Sequence, residues 1–439
     1  MIKSKILSLI LVFLLTVSFV LGGCSSKTSE PSSKLSEKTS QPSANATTSE
    51  SKIQITYWNL FGGGDGVIMN EIVKEFNKQH PNIEVKPLTL EWGDPYYTKL
   101  ITGVSGGIAP DIAISHTSRL GELVEKGIVY PLDEFDVKWS EFNQNILNAT
   151  IFDGKHYAIP LDAHPHILYY NKTLLKNMGL LGDDGKPLIK PGPDGFIEFL
   201  TQIKEKAPKG VITMALPSAG EDPYRTWWAL YNQLEGPGLL DKSGKNVIIN
   251  NEQAKKAAEY VLNFFSSGLV PLNLQNTYQL FQAGKAVLLP TGVWFTSQLD
   301  KTKGLDYGAM PFPQIFDKPA TWIDSHVFVI PVQKNKNEDK IKAAVIFANW
   351  VVEHGWMWAK AGHIPAYMSV LESEEFKKLP WITDYVKAAD EGVYLPQSSK
   401  LWPIKNALVQ DLDLIWAKKV TVDKGLEKAV QDMEKILNR

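Results

Sequence analysis

From Ile53 onward, hydrophobic and polar positions fall into short blocks whose period switches between two and about 3.6. Ile53, Ile55 and Tyr57 alternate with polar residues and predict a strand that runs out at Trp58. Ile68, Ile72, Val73 and Phe76 recur at helical spacing, and Pro81 ends that helix. Ile83 and Val85 alternate again, residues 96–104 predict a helix, 111–115 a short buried strand, and 120–126 a helix closed by Gly127. The order β-α-β-α-β implies a mostly parallel sheet with helices on its faces. Ligands of such sheets bind beyond the carboxyl ends of the strands. That rule makes Trp58, Asn59, Ser115 and His116 candidate contacts.

A second alternating region follows the turn Asp153-Gly154-Lys155. Residues 167–170 predict a strand, 196–206 a helix and 211–216 a strand. Residues 251–267 predict a helix with Ala254, Ala257, Ala258, Val261, Leu262 and Phe265 on one face and Gly268 as its stop. A short helix at 278–282, a turn at Gly284-Lys285 and a strand at 286–289 come next, and from Ile341 the pattern is mainly helical. No internal repeat is visible.

The first fifty residues follow different rules. Lys3 and Lys5 precede a largely apolar run, 6–21, which is shorter than the roughly 20 residues of a bilayer span and suits a signal-peptide core. It ends in Leu21-Gly22-Gly23-Cys24, which resembles the bacterial lipobox, where the cysteine thiol receives a diacylglycerol. Residues 25–50 are half Ser and Thr, with Leu35 as the one large apolar side chain, so nothing there repays the entropy of ordering and a flexible tether is expected.

Composition narrows the function classes. The 439 residues and 44% hydrophobic content allow two or three domains with sizeable cores. A formal charge of −2, which becomes −4 once the leader takes Lys3 and Lys5 away, gives no electrostatic reason to expect nucleic acid. The single cysteine forms no internal disulfide and no Cys₂ or Cys₄ zinc site.

Three clusters carry candidate chemistry. Gly62-Gly63-Gly64-Asp65-Gly66 lacks the Gly-Lys-Ser/Thr ending of a phosphate loop and the spacing of a dinucleotide fold. It is expected to be a mobile strand-to-helix connection, with Asp65 able to close over a ligand. Asp162, His164 and His166 lie at alternate positions and would face one way on a strand, but no second close histidine pair is present, so polar contacts near a cleft are expected and no metal or other cofactor is assigned. Tryptophans outside apolar stripes (Trp58, Trp227, Trp294, Trp322, Trp402) offer flat faces that suit the C–H face of a sugar ring, while packing is the alternative and accounts for Trp350, Trp356 and Trp358. Acids such as Asp324, with Asn, His and Arg, would satisfy the hydroxyls.

Short motifs then appear in a specific order: Ala109-Pro110-Asp111-Ile112, the run from Asp153 to Pro160, Leu168-Tyr169-Tyr170-Asn171-Lys172, Phe281-Gln282-Ala283-Gly284-Lys285-Ala286, Gly292-Val293-Trp294 and Gly362-His363-Ile364-Pro365-Ala366. In this order, behind a lipobox, they resemble the extracellular solute-binding proteins of family 1, the sugar receptors of ABC importers. The resemblance implies the α/β fold of type II periplasmic-binding proteins, with two discontinuous lobes joined by a hinge. The expected boundaries are 1–23 for the signal peptide, 24–50 for the tether, 51–161 with 290–333 for the N-terminal lobe, and 162–289 with 334–439 for the C-terminal lobe. Similarity to maltose-binding relatives further implies sugar contacts at Trp58, Arg119, His164, Asp222, Tyr224, Trp227, Trp294 and Trp402; Ser118 replaces the acid of their Asp-Arg pair.

The implied protein is a monomeric receptor, lipid-anchored at Cys24 on the extracellular face of the membrane. It would close around a sugar or oligosaccharide and deliver it to the permease. A secreted glycoside hydrolase, or a same-fold receptor for a non-sugar ligand, are the alternatives.

Overall fold

The computed structural model describes residues 52–380 and 382–439, so the expected leader and tether, with Cys24, lie outside the described residues. Nine strands build the two main sheets: β1 (Ile53–Asn59), β2 (Ile83–Thr89), β3 (Ile112–His116), β4 (Ile159–Pro160), β5 (His166–Asn171), β6 (Ile212–Met214), β7 (Ala286–Gly292), β8 (Tyr307–Pro311) and β9 (His326–Val329). The first sheet has the order β2-β1-β3-β9-β4 and the second β8-β5-β7-β6. The principal helices are α1 (Gly63–Gln79), α2 (Asp94–Gly106), α3 (Thr117–Glu125), α4 (Pro193–Lys206), α5 (Glu221–Gln233), α6 (Glu252–Ser266), α7 (Glu338–Glu353), α8 (Leu401–Trp416) and α9 (Val422–Leu437).

The expected β-α-β-α-β unit is present. β1 runs parallel to β2 and β3, with Tyr57 opposite Pro87 on one side and Ile112 on the other. α1 buries Ile68, Met69, Ile72, Val73 and Phe76, and the Phe76 ring meets Phe347 of α7 edge-on at 5.0 Å. β9 then joins antiparallel, Val327 opposite Ser115, so a strand from far along the chain completes the first sheet.

The glycine cluster differs from expectation. Gly63, Gly64, Asp65 and Gly66 form the first turn of α1 instead of a connection. The turn folds back so closely that a Cβ on Gly66 would sit 2.6 Å from the Phe61 carbonyl oxygen, a space only glycine allows.

β5 is buried on both faces, and its alternation divides two cores. Ile167 and Tyr169 face the first, while Leu168 and Tyr170 face the second. Beyond it, α5 buries Trp227, whose ring stacks on Tyr231 at 5.1 Å and whose indole N–H donates to the Ala254 carbonyl of α6 at 3.2 Å. α8 and α9 finish this lobe through Leu412, Ile415, Leu426 and Ala429.

Strand pairing corrects the expected lobe boundaries. β8 pairs with β5, Ala309 opposite Tyr169, which puts 307–311 in the second lobe and not with 290–333 in the first. Ala163 pairs with Ile364, and Phe347 of α7 packs edge-on against Tyr57 of β1 and Phe76 of α1, so 162–163 and 338–365 belong to the first lobe. A strand of five residues has the same alternation whichever sheet it joins, and only the partner decides.

Candidate functional site

A cavity of about 520 Å³ lies between the lobes. Its first wall consists of Leu60 and Phe61 after β1, the opening turn of α1 with Asp65, Trp92 before α2, His116 at the end of β3, Ser118 in the first turn of α3, Asp324 just before β9 and His326 at its start. The second wall consists of Glu221, Asp222 and Arg225 from the first turns of α5, with Tyr278, Trp294, Trp322, Leu395, and Trp402 and Lys405 of α8. His164 lines the cavity at the crossing between the lobes.

The second wall is a cation–aromatic assembly. The Arg225 guanidinium carbon lies 4.7 Å from the Trp322 ring centre and 4.9 Å from Trp294, while its nitrogens reach Asp222 at 3.0 Å and Glu221 at 3.4 Å. Further donors hold the acids: Thr291 and Tyr278 donate to Asp222, and Lys405 donates to Glu221 at 2.5 Å with its ammonium 4.0 Å from the Trp402 ring centre. Burial pushes Asp222 up despite Arg225 beside it. Burial would also raise Glu221, but Arg225 and Lys405 outweigh it and hold that carboxyl low. Burial lowers Lys405. Trp294 is placed by Gly292, where an added Cβ would fall 1.9 Å from the indole ring.

Histidines and Asp324 carry the polar side of the first wall. Asp324 accepts from the Thr117 and Ser118 hydroxyls, both at 2.5 Å, and from the Ser118 and Ser325 backbone N–H groups. Burial opposes its ionisation, yet His116, His164 and these hydroxyls keep it below the usual range. The His116 backbone N–H donates to the Tyr97 oxygen at 3.0 Å, and the Tyr97 hydroxyl lies 2.7 Å from His116 Nδ1. Tyr97 thus fixes the His116 ring through two contacts, one at its backbone and one at Nδ1, which leaves Nε2 to face the cavity. Burial, with His326 adjacent, holds His116 well below its ordinary value and pushes His164 down to about 4. Neutral imidazoles are the form that can both donate to and accept from a hydroxyl.

Of the expected contacts, Asp65, His116, His164, Asp222, Trp294, Trp322, Asp324 and Trp402 line this cavity. The others do not. Trp58 is turned by strand alternation onto α2, against Gly103 and under Lys99 at 5.3 Å. Asn59 shapes the turn after β1, accepting from the Phe61 N–H and the Thr89 hydroxyl. Ser115 donates to the His116 carbonyl. Arg119 pairs with Asp94 at 2.7 Å and Glu122 at 2.9 Å and backs the Trp402 ring at 5.0 Å. Tyr224 and Trp227 lie in the second core, on the inner face of α5. Asp162 is fully buried and bonds His164 at 3.0 Å. His166 does not share its side: Pro165 interrupts the strand, and His166 turns to Thr226 at 3.1 Å.

Trp92, Glu221, Arg225, Tyr278 and Lys405 were not among the expected contacts. Glu221, Asp222 and Arg225 do carry a signal, the i,i+3 and i,i+4 spacing of ion pairs at a helix start. Trp92, in a loop beside Gly93, is 58% exposed at the cavity mouth.

Two α/β lobes with crossing segments and a cleft between them define the type II periplasmic-binding fold. The model of the bacterial extracellular solute-binding proteins matches residues 63–358, and the chain belongs to that family. A putative binding protein of Brucella abortus is 25% identical over 286 residues, which span 62% of this chain and 66% of the relative. The arabinooligosaccharide-binding protein of Bacillus subtilis is 23% identical over 401 residues, 87% of this chain and 85% of that one. The GacH receptor of Streptomyces glaucescens, solved unliganded and with acarbose, superposes with a TM-score of 0.76 at 18% identity, covering 88% of this chain and 99% of the receptor. The family and these neighbours are solute-binding proteins, not enzymes.

Proposed function

We propose that this chain is the lipid-anchored, extracellular receptor of an ABC importer for a sugar or short oligosaccharide. One observation carries the reading: tryptophans from both lobes, Trp92 on one side and Trp294, Trp322 and Trp402 on the other, face a cavity whose remaining lining is rich in hydrogen-bonding groups. Rings supply apolar faces for the C–H side of a sugar, and His116, His164, Asp65 and Asp324 supply partners for its rim of hydroxyls. A volume of about 520 Å³ suits a small oligosaccharide and lies within the roughly 300–1,000 Å³ of small-molecule sites. Two relatives support the ligand class, one named for arabinooligosaccharides and one solved with acarbose.

The mechanism that fits is closure of the lobes. Sugar docks on the aromatic wall, and the histidine wall completes the contacts, so the ligand favours the closed form by its differential affinity. The closed form would be the one the permease recognises, with Cys24 holding the receptor at the membrane. Because binding stabilises the native state by mass action, a thermal-shift screen over mono- and oligosaccharides tests the reading directly. A rise in unfolding temperature with one sugar class, and recovery of that sugar unhydrolysed, is expected. Silence across all sugars would defeat it. Labelled lipid incorporated by the wild type and lost in Cys24→Ala tests the anchor.

A further inference from the structure

One carboxylate at the crossing between the lobes gathers more nitrogen than it can accept. Asp162 Oδ1 lies 3.0 Å from His164 Nδ1 and accepts the His326 backbone N–H at 3.0 Å. Its Oδ2 lies 2.7 Å from His326 Nδ1 and 2.6 Å from the Trp358 indole nitrogen. These contacts fill the roughly four lone-pair positions of a carboxylate. His363 Nδ1, completely buried, is left 3.5 Å from Oδ2 and without a hydrogen-bond partner among the described residues. Its other nitrogen, Nε2, lies 3.2 Å from Asp65 Oδ2, where Nε2–H donates to the acid. With Nε2 alone protonated, the Nδ1 lone pair would face a second carboxylate, so the position between them is filled either by a proton on Nδ1 or by a metal ion.

We propose that Asp162, His164, His326 and His363 form a site for a divalent transition-metal ion of zinc type at the floor of the cleft. One donor atom from each residue lies within 4.8 Å of every other. Tetrahedral zinc ligands at about 2.0–2.1 Å from the metal are about 3.3 Å apart, so the widest pair must close by up to about 1.5 Å to seat the ion. Three imidazoles and one carboxylate are a donor set that suits zinc better than magnesium or calcium. The surroundings fit as well. A metal-bound histidine commonly donates its far N–H to a carboxylate, as His363 does to Asp65, and a bound carboxylate is itself hydrogen-bonded, as Asp162 is by Trp358. His164 and His326 line the cavity, which gives the ion a way in. The ion would tie the α1 turn, the crossing segment and β9 together beneath the sugar site.

The test uses the full mature chain, stripped with a chelator and titrated with Zn²⁺ against a chromophoric competitor. Uptake of one equivalent and a higher unfolding temperature are expected, with no response to Mg²⁺. Co²⁺ should give the intense visible bands of a tetrahedral N₃O site, a readout that needs no variant. His363→Gln should lower Zn²⁺ affinity at least tenfold, and Asp65→Asn should lower it by roughly ten- to a hundredfold by weakening the bond that orients His363. A folded wild type that takes up no equivalent of zinc and gives no tetrahedral cobalt spectrum would overturn the proposal and leave the cluster a hydrogen-bond hub held by protons alone. Sugar binding is measured separately by the thermal-shift screen, so the metal site and the sugar receptor can each fail without the other.

Discussion

The Arg225 guanidinium rests 4.7 Å from the Trp322 ring centre while its nitrogens engage the acids at the start of α5. One side chain thus orients an aromatic platform and neutralises Asp222 and Glu221. Arg225 is only 13% exposed, so Arg225→Ala strands Asp222 in a poorly solvated place, while Glu221 keeps Lys405. A loss of about 3–5 kcal/mol in denaturant unfolding is expected, as for other broken buried pairs. Arg225→Lys keeps the charge but not the flat fork, and should retain most stability while weakening sugar binding by calorimetry.

Trp92 makes the opposite prediction. Its ring is largely exposed at the cavity mouth, so Trp92→Ala removes little from the core. The unfolding temperature of the free protein should stay nearly unchanged. Affinity for the cognate sugar should fall roughly tenfold or more, the loss expected of an aromatic contact.

Trp227→Ala should act on the fold. The ring is completely buried and stacked on Tyr231, and its N–H is satisfied by Ala254. A destabilisation of about 3–5 kcal/mol is expected from the cavity it leaves. Sugar affinity measured on the folded fraction should be unchanged.

Asp413 gives the chain a pH dependence. Burial pushes its carboxyl up to about 6, against the Gly220 N–H it accepts, with Glu221 adding to the rise. A carboxyl whose folded value is raised favours folding when protonated. Its contribution is complete below about pH 4, the unfolded value, and is lost as pH rises through 6. Asp413→Asn keeps an acceptor for Gly220, so it should stabilise the protein at about pH 7–8 and change little at about pH 4. Urea midpoints of the two proteins across that range check the sign.

Local chemistry made much of this legible in the sequence. The alternation around Ile55 and Tyr57, the helical spacing from Ile68 to Phe76 and the stops at Pro81 and Gly268 are set by backbone geometry and by which side chains avoid water. They hold whatever the rest of the chain does. Trp294 and Asp222 line the cavity and were readable from segments that resemble those of maltose-binding relatives, while Trp402 came only from its position near a late tryptophan of those relatives.

Tertiary structure decided the rest. Trp58 and Trp227 are as aromatic as Trp294, yet strand alternation turns one onto α2 and helix phase sends the other into the second core. β8 and α7 went to the lobes opposite those their place in the chain suggested, because the pairing of Ala309 with Tyr169 and the packing of Phe347 on Tyr57 and Phe76 outweigh sequence order. Asp162 and His164 were visible as neighbours. Their meeting with His326 and His363, 164 and 201 positions beyond Asp162, exists only because two late segments pair back across the crossing.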